Sequence, residues 1–533
     1  MNWKIARVLL VSECKVLQIA AVIVICGSCG ISNVQARSWK FAGVDVRLDA
    51  EFIAMKNGWV VLRDTHGKSF EFAFENFSDV DQQFLKALGQ STATLSQEDT
   101  KRSNGDYSMR VVDQIVDETV ILKGPSELHI TGNGEPLRRS SLVFTSPDAW
   151  LFFDRIQPSA VGSKLLDQMV VKGVRATLGL NVRIVQYGVG SVVIPHQADY
   201  PAMTLFDQKS LSGRAMNLTC FTSYGGLNLG TWNRGTRSFI LKRGYMATLA
   251  ENADGTGVSR NFVAQDHDVV METMPEGLDA KIGFIRIFPW RWTSKKGVAG
   301  GIWQHLNVGW FYDWNIGANS SPNLEYVAIK QKRDWPNLDQ NWQKKGVIHL
   351  LGYNEPNQKD QSDLTVDQAI AGWPELMGTG LRLGSPAPSD GGLGWIYEFI
   401  DKADARKLRV DFVAIHYYRG YGNPKDARGA ANQFYQFLKG VHDRVKRPLW
   451  VTEWNNGANW SKEPDPTVKE EKEAIEKMIE MLDATPFVER YAIYNWVEDV
   501  RHVQNDDGQL TPAGEVYRDQ ESPLSYRQPV DGK

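Results

Sequence analysis

At 533 residues the chain is too long for a single hydrophobic core and calls for two to four domains. It is 42% hydrophobic and 23% charged, with a formal net charge of −3 and a pI near 6.3. That balance gives no electrostatic footprint for nucleic acid, and nothing in it suggests a polybasic membrane patch.

The first 36 residues read as an export signal. Lys4, Arg7 and Lys15 precede an apolar run over 16–25, and Val34-Gln35-Ala36 fits a small-residue cleavage site. The run is shorter than the ~20 residues a bilayer span needs, so no integral membrane span is expected. Cleavage would start the mature chain at Arg37 and place it in the periplasm, on the cell surface or outside the cell. Lipidation of Cys29 is a competing reading of the same segment. Cys14, Cys26 and Cys29 would all leave with it, so no internal disulfide is expected. The remaining Cys220 lies in the apolar stretch 218–221 and reads as a buried thiol rather than a nucleophile.

Over 37–90, apolar and polar residues alternate at 44–52, 59–62 and 70–74, with turns at Lys56-Asn57-Gly58 and His66-Gly67-Lys68. A short helix follows near Ser78. The segments Arg37-Ser38-Trp39, Glu51-Phe52, Val60-Val61-Leu62-Arg63, Gly67-Lys68 and Ser78-x-x-Asp81 resemble the Sla-homology type of SH3-like module. That resemblance implies a binding or spacing unit. The polar stretch 91–105 reads as a linker. Residues 106–280 carry short strand patterns separated by turns such as Gly132-Asn133-Gly134 and Asp254-Gly255, which predicts a β-sandwich. Such a domain could hold carbohydrate or act as a spacer. The turn over 252–257 lacks the closing glutamate of a calcium loop and reads as a hairpin.

From 281 to 520 the pattern becomes alternating strand and helix. Strands are expected at 284–288, 308–314, 326–330, 347–353, 381–384, 412–416, 449–452 and 491–495, and 521–533 is left as a tail. Strand 284–288 could instead close the preceding β domain. Eight strands with helical crossovers in ~240 residues predict a (β/α)8 TIM barrel. On this count Glu355 follows the fourth strand and Glu453 the seventh.

Strand ends of one barrel face meet at one pocket, so the two carboxyls are expected in one cleft. Cleaving a glycosidic bond needs a proton for the leaving oxygen and an anion for the oxocarbenium-like carbon, and two carboxyls ~5–5.5 Å apart supply both with retention of configuration. A nearby carboxylate raises its neighbour's pKa, so one can hold a proton while the other stays ionised.

The flanking segments make this specific. Ser294-Lys295-Lys296-Gly297, residues 310–315 and 350–357, Gly384-Ser385-Pro386-Ala387, 411–418 and Trp450-Val451-Thr452-Glu453-Trp454 resemble glycoside hydrolase family 128, with its Asl-like catalytic core. The resemblance spans about residues 290–500. It implies Glu355 as acid/base and Glu453 as nucleophile, Asn354 on the sugar 2-hydroxyl, and His416 and Tyr418 as positioning residues. It also implies β-1,3-glucan as substrate. Tyr353 and Asn357 depart from the Phe and Asp of many members, at positions expected on the subsite wall.

Trp310, Trp314, Trp335, Trp454 and Trp496 fall at or just past strand ends and are candidates for stacking on sugar rings. No His, Cys, Asp or Glu spacing suggests a metal, no phosphate loop is present, and no cofactor is expected. The expected protein is an exported, monomeric retaining β-glucanase, acting as an endo-β-1,3-glucanase. The alternatives are a non-catalytic β-glycan-binding protein and a glycanase for another β-linked polymer.

Overall fold

The computed structural model describes residues 37–42, 47–56, 59–64, 69–82, 85, 107–197, 199–220 and 222–529. The expected export signal, with Cys29, and the expected linker over 91–105 lie outside the described residues. Among the described residues no helix is long and apolar enough to cross a membrane.

Strands Arg37–Lys40, Arg47–Lys56, Trp59–Asp64 and Ser69–Ala73 form one antiparallel sheet in sequence order. Trp39, Val60, Leu62 and Phe77 fill its core. Asp81 accepts from Ser78 Oγ and from the Lys40 N–H, each at 2.8 Å. The Ser78-x-x-Asp81 signature therefore fastens the segment after the sheet to the first strand.

Residues 107–289 form two units, which corrects the single sandwich expected over 106–280. Strands Ser108–Val112, Ser126–Ile130 and Ala149–Phe153 pair in parallel. So do Thr119–Leu122, Ser141–Phe144 and Met169–Val171, and Ile115–Val116 pairs in parallel with Leu137–Arg138. The chain thus winds repeatedly through the same sheets as a short β-solenoid, stacking Leu128, Ile130, Leu142, Phe144, Leu151 and Phe153 in one core. Inward–outward alternation is the same for parallel and antiparallel strands, so the pattern alone could not separate solenoid from sandwich. Gly132-Asn133-Gly134 turns a solenoid corner, not a hairpin.

The second unit is a sandwich. Pro201–Phe206, Ala215–Thr219, Ser238–Leu241 and Val269–Met271 make one antiparallel sheet, and Ser223–Gly225, Tyr245–Ala250, Ser259–Ala264 and Phe284–Pro289 make the other. Phe284–Pro289 therefore belongs here and not with the parallel strands. The 252–257 turn closes the hairpin between Tyr245–Ala250 and Ser259–Ala264. Cys220 is 2% exposed in the sandwich core, and burial pushes its thiol up to about 12, which suits a structural residue.

The remaining strands are all parallel. Lys296–Ala299 pairs with Trp310–Tyr312, which pairs with Glu325–Tyr326. After Val327 the chain continues as Ala328–Ile329, which pairs with His349–Leu351, followed by Arg382–Leu383. A Gly384–Phe412 bridge leads to Val413–Tyr417. Then come Leu449–Trp454 and Val488–Tyr494, which pairs back onto Lys296–Ala299. Helices Val366–Gly378, Leu393–Ala405, Ala427–Val445 and Val468–Ala484 fall between successive strands. The first begins with a capping box of Thr365 and Gln368.

The Ser294-Lys295-Lys296-Gly297 segment is structural. Lys295 Nζ donates to the carbonyls of Leu482, Asp483 and Thr485. Lys296 Nζ donates to those of Tyr517, Arg518 and Gln520. Each lysine thus caps the C-terminus of one helix, where carbonyls lack partners and a cation is favoured. A Cβ on Gly297 would lie 2.3 Å from the Trp310 ring, so only glycine lets the two strands pair here.

Beneath the strand ends lies a buried ionic cluster. Glu325 accepts from His349 Nδ1 at 2.6 Å, Thr293 Oγ1 at 2.6 Å and Arg490 Nη2 at 2.9 Å. Arg382 pairs bidentately with Glu489 at 2.5 and 2.7 Å. Residues 522–529 are no free tail: Ser525 N–H donates to Thr293 O, and Tyr526 O accepts from Gln265 of the sandwich at 3.1 Å. At the other joint, Arg243 of the sandwich pairs with Glu127 of the solenoid at 2.6 Å and lies 3.8 Å over the Trp150 ring. The solenoid's Phe152 and Val192 share one core with the parallel domain.

Burial, aided by Arg490 and Arg382 against the opposing pull of Glu325, holds His349 down to about 4. The unfolded chain takes up this proton first, so the associated stability is complete above about pH 6.5 and is lost as pH falls toward 4. Melting temperature should rise with pH across that window, and His349→Gln should flatten the rise, as calorimetry at stepped pH would read.

Candidate active site

The site is built where parallel strands end. Gly352 has to be glycine there, since a Cβ would meet the Pro386 nitrogen at 2.6 Å. The backbone then turns: Glu355 has φ +38, a left-handed conformation rare outside glycine and frequent at functional sites. Its N–H donates to the Ala387 carbonyl at 2.8 Å, which fixes the turn and sends the carboxyl over the strand ends.

Glu355, His416 and Glu453 come together there, with one ligand-type atom of each within 4.8 Å of the others. His416 Nδ1 lies 2.9 Å from Glu355 Oε1 and 3.4 Å from Glu453 Oε2. Glu453 Oε1 accepts from Tyr312 Oη and Trp314 Nε1, both at 2.9 Å. Its Oε2 accepts from Tyr418 Oη at 2.7 Å. Glu453 is 6% exposed, and His416 and Tyr312 are fully buried. Burial and the Glu453 charge hold both tyrosines far above the usual phenol range, so they remain donors.

Asn354 is 4% exposed. Its Nδ2 donates to Gln361 Oε1 at 3.2 Å, and its Oδ1 is buried without a partner among the described residues. Trp314 stacks edge-on with Trp496, ring centroids 6.0 Å apart. Tyr494 lies against both Trp314 and Trp496. Trp460, 59% exposed, sits 5.2 Å from the Tyr418 ring. An aromatic rim therefore flanks Glu453. Trp335 is 46% exposed, but no described contact links it to the glutamates.

Two expected stacking residues are core residues instead. Trp310 is 0% exposed, packs on Trp450 and donates Nε1–H to Lys295 O at 3.0 Å. It faces the same way as Tyr312 but one pleat deeper. Trp454 is also 0% exposed and packs on Phe434 and Tyr491. Neighbours on a strand point to opposite faces, so with Glu453 in the site Trp454 must point away. The same alternation could have identified Trp454 as outward from sequence. Tyr312, Tyr494 and Trp460 were missed, and only Tyr312 carried a signal, its place one pleat above Trp310.

Tyr353 does not line a subsite wall, whereas Asn357 is half-buried beside Ser389. Tyr353 is 0% exposed, packs on Trp373, and carries its hydroxyl over Gly372. Asn357 accepts from the Ser389 N–H and donates to Ser389 Oγ, at 3.1 and 2.7 Å.

The Glu355, His416 and Glu453 trio has the spacing of a divalent-metal site, which no sequence spacing could show. The donor set fits poorly: both Glu453 oxygens already face N–H or O–H hydrogens, which a cation would have to displace. Burial opposes charge on His416, but the Glu453 charge and the Glu355 hydrogen bond outweigh it and raise its pKa above the ordinary value. A histidine NMR titration should place His416 above about 6.5, and Glu453→Gln should bring it down.

The chain matches known proteins over this region. A family model described as a glycosyl hydrolase catalytic core matches residues 290–517. An endo-β-1,3-glucanase of glycoside hydrolase family 128, subgroup I, from Amycolatopsis mediterranei, solved with laminaritriose, is 31% identical. The match covers 42% of this chain and 98% of that one, with a TM-score of 0.38. A subgroup II endo-β-1,3-glucanase from Sorangium cellulosum is 24% identical, over 44% of this chain and 100% of that one, with a TM-score of 0.36. No curated protein matches. On the family-model match and the 31% identity across nearly the whole of the Amycolatopsis enzyme, the chain belongs to glycoside hydrolase family 128.

Proposed function

We propose that the protein is an exported retaining endo-β-1,3-glucanase whose parallel domain is a (β/α)8 barrel. The observation that carries this reading is the approach of the Glu355 and Glu453 carboxyls to within 4.8 Å. Retaining glycosidases hold the pair ~5–5.5 Å apart, whereas inverting ones leave ~6.5–9.5 Å for a water. The strand pairing that runs in sequence order and returns from the last strand to the first supports the barrel. The Amycolatopsis relative, an endo-β-1,3-glucanase bound to laminaritriose, supports the substrate.

In this mechanism Glu453 is the nucleophile and Glu355 the acid/base. Glu355 protonates the glycosidic oxygen as Glu453 attacks the anomeric carbon and forms a glycosyl ester. Glu355 then takes a proton from water, which attacks the same carbon and releases Glu453. Tyr312, Trp314 and Tyr418 hold the Glu453 carboxylate in line. Asn354 Oδ1, buried and unpartnered, is an acceptor for the sugar 2-hydroxyl. Trp314, Trp496 and Trp460 offer faces for neighbouring sugar rings. The antiparallel sheet over 37–73 serves as an SH3-like module of the Sla-homology type.

Glu355→Gln should lower turnover of laminarin by about 10²- to 10⁴-fold, the range for loss of a general acid/base. Glu453→Gln should abolish turnover and still bind laminari-oligosaccharides. The first product should be the β-anomer by proton NMR; an α-anomer would refute the retaining assignment. A glycan-binding protein without turnover would show no new reducing ends and no loss in either variant. Prolonged chelator treatment should leave the rate unchanged, and loss restored by a divalent ion would reassign the glutamate–histidine trio.

A further inference from the structure

The end of the parallel domain opposite the glutamates carries a second recessed surface. Two cavities, of about 630 and 380 Å³, lie where the sandwich strand Ser259–Ala264 faces the N-terminal ends of the parallel strands. Asn261, Asp411 and Arg447 line both, so they form one continuous groove. It is basic, in a chain whose net charge is −3.

Part of that charge is consumed internally. Arg409 pairs with Asp411, Arg447 with Asp404 and Arg382 with Glu489, and Lys295 is held by three carbonyls. Arg260, Lys407 and Arg527 are exposed and make no ion pair among the described residues. Lys446 reaches Asp443 only at 3.9 Å. The one lining carboxylate left unpaired is Glu276. Aromatic surface adjoins these cations: Tyr526, with the Arg382 guanidinium 5.2 Å from its ring centroid, and the His442–Phe487 stack with centroids 4.5 Å apart.

The geometry points to a binding groove for an acidic, carboxylate-bearing oligosaccharide, separate from the catalytic cleft. Guanidinium groups match planar carboxylates bidentately, the rings take the apolar faces of sugars, and the recess suits a strand better than a flat bilayer. The sandwich, the parallel domain and the segment after 521 all contribute, so the groove exists only in the assembled chain.

Calorimetry on the full chain carrying Glu453→Gln tests this with tetragalacturonate as probe. The expected result is saturable binding that weakens with salt and drops at least about ten-fold in the Arg260→Glu/Arg527→Glu variant. In the wild-type background that charge reversal should leave laminarin turnover and melting temperature unchanged. Laminarihexaose should not compete. No saturable binding of tetragalacturonate, competition by laminarihexaose, equal affinity for inorganic phosphate alone, or tighter charge-reversible binding to phosphatidylglycerol vesicles would each overturn the proposal.

Discussion

The hydrogen-bond shell of Glu453 is the constraint on which the site depends. Its donors arrive from separate parts of the chain: Tyr312 and Trp314 from one strand end and Tyr418 from another, where His416 also brings its ring nitrogen to 3.4 Å. Tyr312 and His416 are placed by parallel pairing, so a one-residue slip would turn either side chain to the opposite face, and Trp314 and Tyr418 follow just past the ends of those strands. The carboxylate is an acceptor on both oxygens, and the groups around it are neutral donors or a histidine favoured in its charged form. Glu355 has fewer fixed partners, which suits a group that must give and take a proton.

The interior of the parallel domain differs between its two ends. One end gathers two carboxyls under a partly exposed aromatic rim. Inside the other, beneath the basic groove, charge is buried as paired groups, Glu325 with His349 and Arg490, and Arg382 with Glu489, at almost no exposure. Buried charges of this kind are tolerable only when every partner is in place. Lys295 and Lys296 extend the logic outward by tying helix C-termini to the first parallel strand.

The N-terminal domains are joined through side chains, not strand pairing alone. Arg243 crosses from sandwich to solenoid, pairing with Glu127 while stacking on Trp150. Tyr526 and Ser525 then bring the end of the described chain back across sandwich and parallel domain. Solenoid, sandwich and parallel domain thus pack as one body around shared apolar residues.

The sequence by itself determined the local chemistry. Gly352 before Asn354-Glu355-Pro356, and the apolar run before Glu453, mark two carboxyls at strand ends. The capping box at Thr365 and the hairpin at Asp254-Gly255 were also legible, because caps and turns rest on contacts a few residues apart. What only the tertiary structure decided rests on contacts between distant residues. Parallel coiling of 108–171, the transfer of Phe284–Pro289 to the sandwich, and the rim of Tyr494 and Trp460 belong to this class. Trp310 and Trp454 show the division within single residues. Their place near strand ends was readable, but whether each ring met sugar or core depended on depth and facing, which are set by packing against Trp450 in one case and Phe434 in the other.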